Sequence, residues 1–158
     1  MTGQRLTRRN ALAGAILVAA GGGLAFGLYD FGAPADAADI LSAPDAAAAV
    51  AAQELILIDV RRPDEWRATG VAQGAYAIDM RNDDFIDRVL ALANAAPGVP
   101  VAFICARGVR SARMRRTLAA AGLDPALDIS EGMLGSRNGP GWLSRGLPTV
   151  PAAEALRG

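Results

Sequence analysis

The sequence predicts one α/β domain with a mainly parallel central sheet and helices on both faces. Short apolar runs at residues 55–58 and 101–104 have the length and uniform hydrophobicity of strands buried on both sides, and Leu127-Asp128-Ile129 reads as a last short strand. Helical patterns separate these runs, which is the alternation that builds a parallel sheet. The chain has 158 residues, 52% of them hydrophobic, enough for one real core plus an appendage.

The appendage comes first. Residues 1–10 carry Arg5, Arg8 and Arg9 and no acid, residues 11–29 are uncharged, and Ala33, Ala35 and Ala37 follow at small-residue spacing. A basic start, an apolar middle and small residues behind it describe an export signal. Thr7-Arg8-Arg9 followed by Leu12 resembles the twin-arginine type, which carries folded proteins across the bacterial inner membrane. Glycines 14, 21, 22, 23 and 27 keep the middle less apolar than most membrane spans. Cleavage is expected after Ala35 or Ala37. The alternative is an uncleaved anchor over residues 11–29, close to the ~20 residues that cross a bilayer. Either way residues 1–37 stand outside the fold, residues 38–158 form the domain, and a periplasmic location is expected, with membrane contact only through the N-terminal segment.

Within the domain, Ile40-Leu41 reads as a short edge strand. Ser42 is placed as an N-cap, with Pro44 in the first turn and Asp45 at the capping-box position of an alanine-rich helix to Ala52. The strand at 55–58 runs into Asp59-Val60-Arg61, and Pro63 opens a short helix. Gly70 and Gly74 punctuate a loop before a strand at 75–78. Asn82 is expected to cap a helix with Phe85, Val89, Leu90 and Leu92 on its apolar stripe, ending before Pro97-Gly98. After the strand at 101–104 a helix is expected from Ser111 to Ala121, stopping at Gly122, and a last short strand at 127–129. Residues 132–141 read as a glycine-rich loop, and Trp66 and Trp142 as core.

Composition narrows the chemistry. All sixteen basic residues are arginine and histidine is absent, which removes Schiff-base lysines, Ser-His-Asp and Cys-His catalysis and imidazole metal sites. One cysteine excludes an internal disulfide and thiolate zinc clusters. No cofactor or metal is therefore expected. A formal net charge of zero gives no global argument for nucleic acid, and none is expected as a partner.

The lone cysteine opens Cys105-Ala106-Arg107-Gly108-Val109-Arg110-Ser111, between a buried strand and a helix. In open α/β sheets that junction is where ligands bind. A thiol at a helix N-terminus meets unpaired backbone N–H groups and the positive end of the helix dipole, which favour the thiolate. Arg107 and Arg110 in the loop and Arg113, Arg115 and Arg116 beyond it meet no acid between Arg88 and Asp124. This reads as a nucleophilic thiolate in an anion nest. The plain alternative is a small buried hydrophobe.

Three separated stretches share a resemblance. Leu57-Ile58-Asp59-Val60-Arg61 with Glu65-Trp66, Gly70 and Gly74-Ala75, then the cysteine loop, then Gly132, Trp142 and Gly146-Leu147-Pro148 together resemble the rhodanese-like sulfurtransferases, from about Ile40 to Val150. The resemblance implies a rhodanese-like fold and two-step covalent sulfur transfer. Cys105 would attack the outer sulfur of thiosulfate or a similar donor, sulfite would leave, and cyanide or a thiol would take the sulfur from the persulfide. Small-molecule donors and acceptors, or an acceptor protein, are the implied partners. The backbone of Ala106, Arg107, Gly108, Val109, Arg110 and Ser111 would cradle substrate, with Arg107 and Arg110 binding the donor.

Asp59, Arg61 and Arg113 are candidates for site support. Arg61 and Glu65 read first as a structural ion pair. Asp59 either holds an arginine at the site or caps the following turn, and Arg113 is the helix arginine nearest the loop. The chain departs from the family pattern at Gly70-Val71-Ala72, where the family has Gly-His-Ile, and in the longer stretch at residues 135–141, which lines the site mouth or is a surface excursion. Two rivals stand beside the sulfurtransferase: a persulfide carrier or sulfur sensor without turnover, and a cysteine phosphatase or arsenate reductase. The latter have one residue more between cysteine and arginine than separates Cys105 from Arg110, and this chain places no general acid by motif.

Overall fold

The computed structural model describes residues 39–156, so the signal or anchor expected over residues 1–37 lies outside the described residues. Among the described residues no helix is long and apolar enough to cross a membrane.

Ser42 Oγ accepts from the Asp45 N–H at 3.3 Å and starts α1 (Ala43–Ala51), as its position before Pro44 predicts. There follow β1 (Ile56–Asp59), α2 (Pro63–Thr69), β2 (Val71–Ala72), β3 (Tyr76–Ala77), α3 (Phe85–Ala95), β4 (Val101–Ile104), α4 (Val109–Ala120), β5 (Ala126–Asp128), β6 (Thr149–Val150) and α5 (Ala152–Ala155). The main sheet has the order β3-β1-β4-β5, and every neighbouring pair in it is parallel. Ile58 sits opposite Phe103 and Asp59 opposite Ile104, so β1 and β4 end at the same edge of the sheet. A separate antiparallel pair joins β2 and β6.

Alternation along the strands divides the core. Leu57, Ala102, Ile104 and Leu127 face Ala43, Ala46 and Ala49 of α1 together with Trp66, Met133 and Trp142. Ile56, Ile58, Val101 and Phe103 face Phe85 and Val89 of α3 and Met114 and Leu118 of α4. Both central strands are buried along their whole length, the reason they read as unbroken apolar runs.

Several local expectations are corrected. Ile40 contributes one bridge to Asp128, not a strand. Asp84, not Asn82, is the N-cap of α3, and the Asn82 carbonyl accepts the Phe85 N–H in the preceding turn. Helix α4 begins at Val109, two residues before the expected Ser111, because Gly108 turns the chain in the left-handed region with φ +83°. Strand β2 lies in a stretch read as loop and β6 in one given no element; two residues are too few to show a period.

Candidate active site

Strand β4 delivers Cys105 to the carboxyl edge of the sheet, where Val60 N–H bonds to the Ile104 carbonyl at 3.0 Å and ties the ends of β1 and β4 together. The next turn is clamped from the other side. The Met133 N–H donates to the Cys105 carbonyl at 2.8 Å and the Leu134 N–H to that of Ala106 at 2.9 Å. Two glycines permit this approach. A Cβ on Gly108 would lie 2.1 Å from the Ser130 carbonyl oxygen, and one on Gly132 would lie 2.7 Å from that of Ala106.

The loop then presents its amides. Among the described residues, no carbonyl or side chain accepts from the backbone N–H groups of residues 106–111. Three of these belong to the first turn of α4, where helical geometry leaves N–H groups without intrahelical partners. Consecutive free amides at a helix N-terminus form a concavity suited to an anion.

Cys105 is 1% exposed and packs among Ile58, Phe103 and Met114. It is more enclosed than a reactive thiol is expected to be, so the plain alternative is right about its burial. Its surroundings are nevertheless polar on one side. Ser111 Oγ lies 3.5 Å from Cys105 Sγ and 3.1 Å from the Gly108 carbonyl, and its single proton serves one of them at a time.

Arg110 is fixed from a distance in sequence. Its Nη1 and Nη2 donate to Glu65 Oε2 and Oε1 at 2.7 and 2.6 Å, a bidentate pair half withdrawn from solvent. Glu65 is itself placed by α2, where its carboxylate also accepts the Arg62 N–H at 3.1 Å. Arg110 holds the Glu65 carboxyl below its ordinary value. In return Glu65 raises the Arg110 guanidinium, with burial opposing and the nearby Cys105 sulfur adding to the rise. Arg110 therefore stands at the cysteine, as expected, but as one half of a clamped pair.

The predicted ion pair between Arg61 and Glu65 does not form. Arg61 lies before Pro63, outside α2, so helical spacing does not bring it to Glu65. It turns back on Asp59, with Nη2 to Oδ2 at 2.7 Å and Nε to Oδ1 at 2.9 Å, and both side chains are essentially fully buried. Nη1 and Nη2 also reach Thr69 Oγ1 and the Gly70 carbonyl, each at 2.8 Å. Of its two expected roles Asp59 takes the second, accepting the Arg61 N–H at 3.1 Å across the turn, and the arginine it holds is Arg61, not one of the cysteine loop. The pair locks β1 to α2 and so sets where Glu65 stands.

Arg107 is exposed, with no ion-pair partner among the described residues. Arg113 is exposed on α4 and does not join the site; Arg115 and Arg116 instead line a pocket with Arg107. Sequence reasoning singled out neither Asp128 nor Glu131. Glu131 is buried and accepts from Ala43 N–H, Gly141 N–H and Arg145 Nε at 2.8, 3.0 and 2.7 Å, pinning the return of residues 132–141. Trp66 and Trp142 are core, as read.

A parallel sheet whose central strand leads into the chain's one cysteine, followed by a loop of free amides and an anchored arginine, defines an α/β protein with an enclosed thiol at the sheet's carboxyl edge. The family model described as Rhodanese-like domain matches residues 42–137, and the chain belongs to that family. An uncharacterised protein, RP600, of Rickettsia prowazekii is 28% identical over 98 residues, covering 58% of this chain and 80% of the relative. Among solved structures, the thiosulfate sulfurtransferase of Pseudomonas aeruginosa is similar at 26% identity and TM-score 0.53, over 70% of this chain and 20% of that one. A Rhodopseudomonas palustris protein described as a possible tyrosine phosphatase shares the fold at 24% identity and TM-score 0.50, over 71% and 84% of the two chains.

Proposed function

We propose that the protein is a sulfurtransferase that carries a sulfane sulfur on Cys105. The observation that carries this reading is the loop itself: one sulfur, the free amides of residues 106–111 and Arg110 beside it, with no lysine or histidine in the chain. The Cys105 thiolate attacks the outer sulfur of thiosulfate. A new S–S bond forms, the donor's S–S bond breaks, and sulfite leaves with the electron pair. An acceptor thiolate or cyanide then attacks the outer sulfur of the persulfide and returns Cys105 as the thiolate. The amides and Arg110 supply fixed positive dipoles and charge for the donor's oxyanion.

Enclosure of the thiol favours this chemistry over phosphoryl transfer. A slender terminal sulfur reaches an almost buried atom more easily than a tetrahedral phosphorus with its oxygens, and the short loop leaves less room for that group. The same burial favours a second reading, a carrier that is loaded and emptied by one partner with little turnover. Turnover with thiosulfate and cyanide, compared with single-event loading, separates them: fast loading with negligible turnover identifies the carrier. The export signal read at residues 1–37 would place either activity in the periplasm.

Removing the guanidinium of Arg110 should hurt twice, because it also leaves the Glu65 carboxylate without its bidentate partner near the anionic donor, with only Arg62 still beside it. Arg110→Ala is expected to raise KM for thiosulfate roughly tenfold, and adding Glu65→Gln to recover part of the loss. Arg67→Ala, an exposed arginine on α2, should change nothing. Steady-state kinetics on these variants checks the claim, and equal effects of Arg110→Ala and Arg67→Ala would remove the case for an anion site in the loop.

A further inference from the structure

A pocket of about 320 Å³ lies beside the cysteine loop, between α4, the edge of β5 and the turn at residues 136–138. It is built from elements distant in sequence. Arg107 enters from the loop, Val109, Arg115 and Arg116 from α4, and Arg137 from the stretch that is longer than the family pattern. Arg107, Arg116 and Arg137 are exposed, and none has an ion-pair partner among the described residues. Arg115 is held by Asp39, which fixes that side of the pocket.

Asp128 on β5 lines the same pocket and is 4% exposed, and its Oδ1 is buried without a hydrogen-bond partner. An orphaned carboxyl oxygen among free guanidiniums marks a place where a polar ligand completes the bonding. Burial pushes the Asp128 carboxyl up, against the opposing influence of Ser111, Arg115 and Arg116.

We propose that this pocket is an acceptor subsite that binds the carboxylates of a small anionic thiol and holds its sulfur at the cysteine loop. The inference rests on the sulfurtransferase reading and adds the acceptor's chemistry to it. Three unpaired guanidiniums call for more than one negative charge, and planar forked donors suit carboxylates. Size selects a small molecule. The volume is at the lower end for small-ligand pockets, whereas a stable protein partner covers about 800 Å² of each surface. Arg107 and Gly108 of the pocket's wall belong to the loop that Cys105 opens, so the pocket adjoins that loop. The bound ligand's thiolate attacks the outer sulfur of the Cys105 persulfide, the bond to Cys105 breaks, Cys105 leaves as the thiolate, and the ligand departs as a persulfide, with no external oxidant or reductant.

The test uses mercaptosuccinate, a dicarboxylate thiol, against neutral 2-mercaptoethanol, and S-methyl mercaptosuccinate as a ligand that cannot react. The whole chain is expected to bind the S-methyl compound by calorimetry. Arg116→Ala with Arg137→Ala should abolish that binding and raise KM for mercaptosuccinate roughly tenfold relative to 2-mercaptoethanol; Arg67→Ala should do neither. Equal binding by the double variant, an unchanged ratio of the two KM values, or capture of an acidic peptide with no binding of the S-methyl compound would overturn the proposal. Because the S-methyl compound needs no sulfur transfer, its loss in the double variant would support the pocket even if the wild-type chain proved unable to turn over, a result that would remove only the sulfurtransferase reading.

Discussion

Cys105→Ser is expected to reduce sulfur transfer by at least ~1,000-fold while the protein stays folded. The chain has no second thiol and no lysine or histidine to take over as nucleophile. Serine fits the space, since it is smaller than cysteine, and Ser111 Oγ and the loop stand close enough to partner a hydroxyl. The cost of placing that hydroxyl among Ile58, Phe103 and Met114 is about 1 kcal/mol, within what a domain of this size tolerates. Turnover with thiosulfate and cyanide, read beside a denaturation curve, checks both halves. Residual transfer near the wild-type rate would mean that another group carries the sulfur.

Asp59→Ala should be the most damaging change to stability. It leaves Arg61, 1% exposed, with its charge buried and its carboxylate gone. Breaking one side of such a pair costs about 3–5 kcal/mol, because the remaining ion keeps its desolvation penalty. For a domain of this length the melting temperature should fall by roughly 10 °C or more. The damage should also reach the site, since Arg61 binds Thr69 and Gly70 at the end of α2 and α2 carries Glu65, the partner of Arg110. Asp64→Ala provides the contrast. Its pair with Arg62 is exposed on both sides, so the change should stay within about 0.5 kcal/mol. Thermal melts of the two variants decide the matter, and similar melting temperatures would contradict the assignment of the Asp59–Arg61 pair as a buried anchor.

The parts of this molecule that were legible in the sequence are those where one local signal suffices. The apolar run at residues 101–104 ending in Cys105, with Gly108 and a helical pattern behind it, announces a buried strand, a turn and a helix start, and the structure has all three. Trp142 could be placed in the core because a large apolar side chain behind a glycine-rich loop has nowhere else to go. What was not legible depends on pairing across the fold. Glu65 and Arg110 are 45 residues apart and meet only because β1 and β4 are neighbours. Arg61 carried a misleading signal, since its spacing to Glu65 fits a helix that begins two residues too late to include it. Arg113 looked nearest to the loop along the chain, yet helical rotation turns Arg115 and Arg116 toward the β5 edge instead. The pocket beside the loop needed the turn at residues 136–138 to fold back on α4, which no periodicity encodes.

The central claim is that Cys105 accepts a sulfane sulfur, and weighing the intact chain after incubation with thiosulfate tests it most directly. The account predicts a gain of one sulfur atom, reversed by cyanide and absent in Cys105→Ser. An unchanged mass for the wild-type chain, folded and with its thiol reduced, would contradict it.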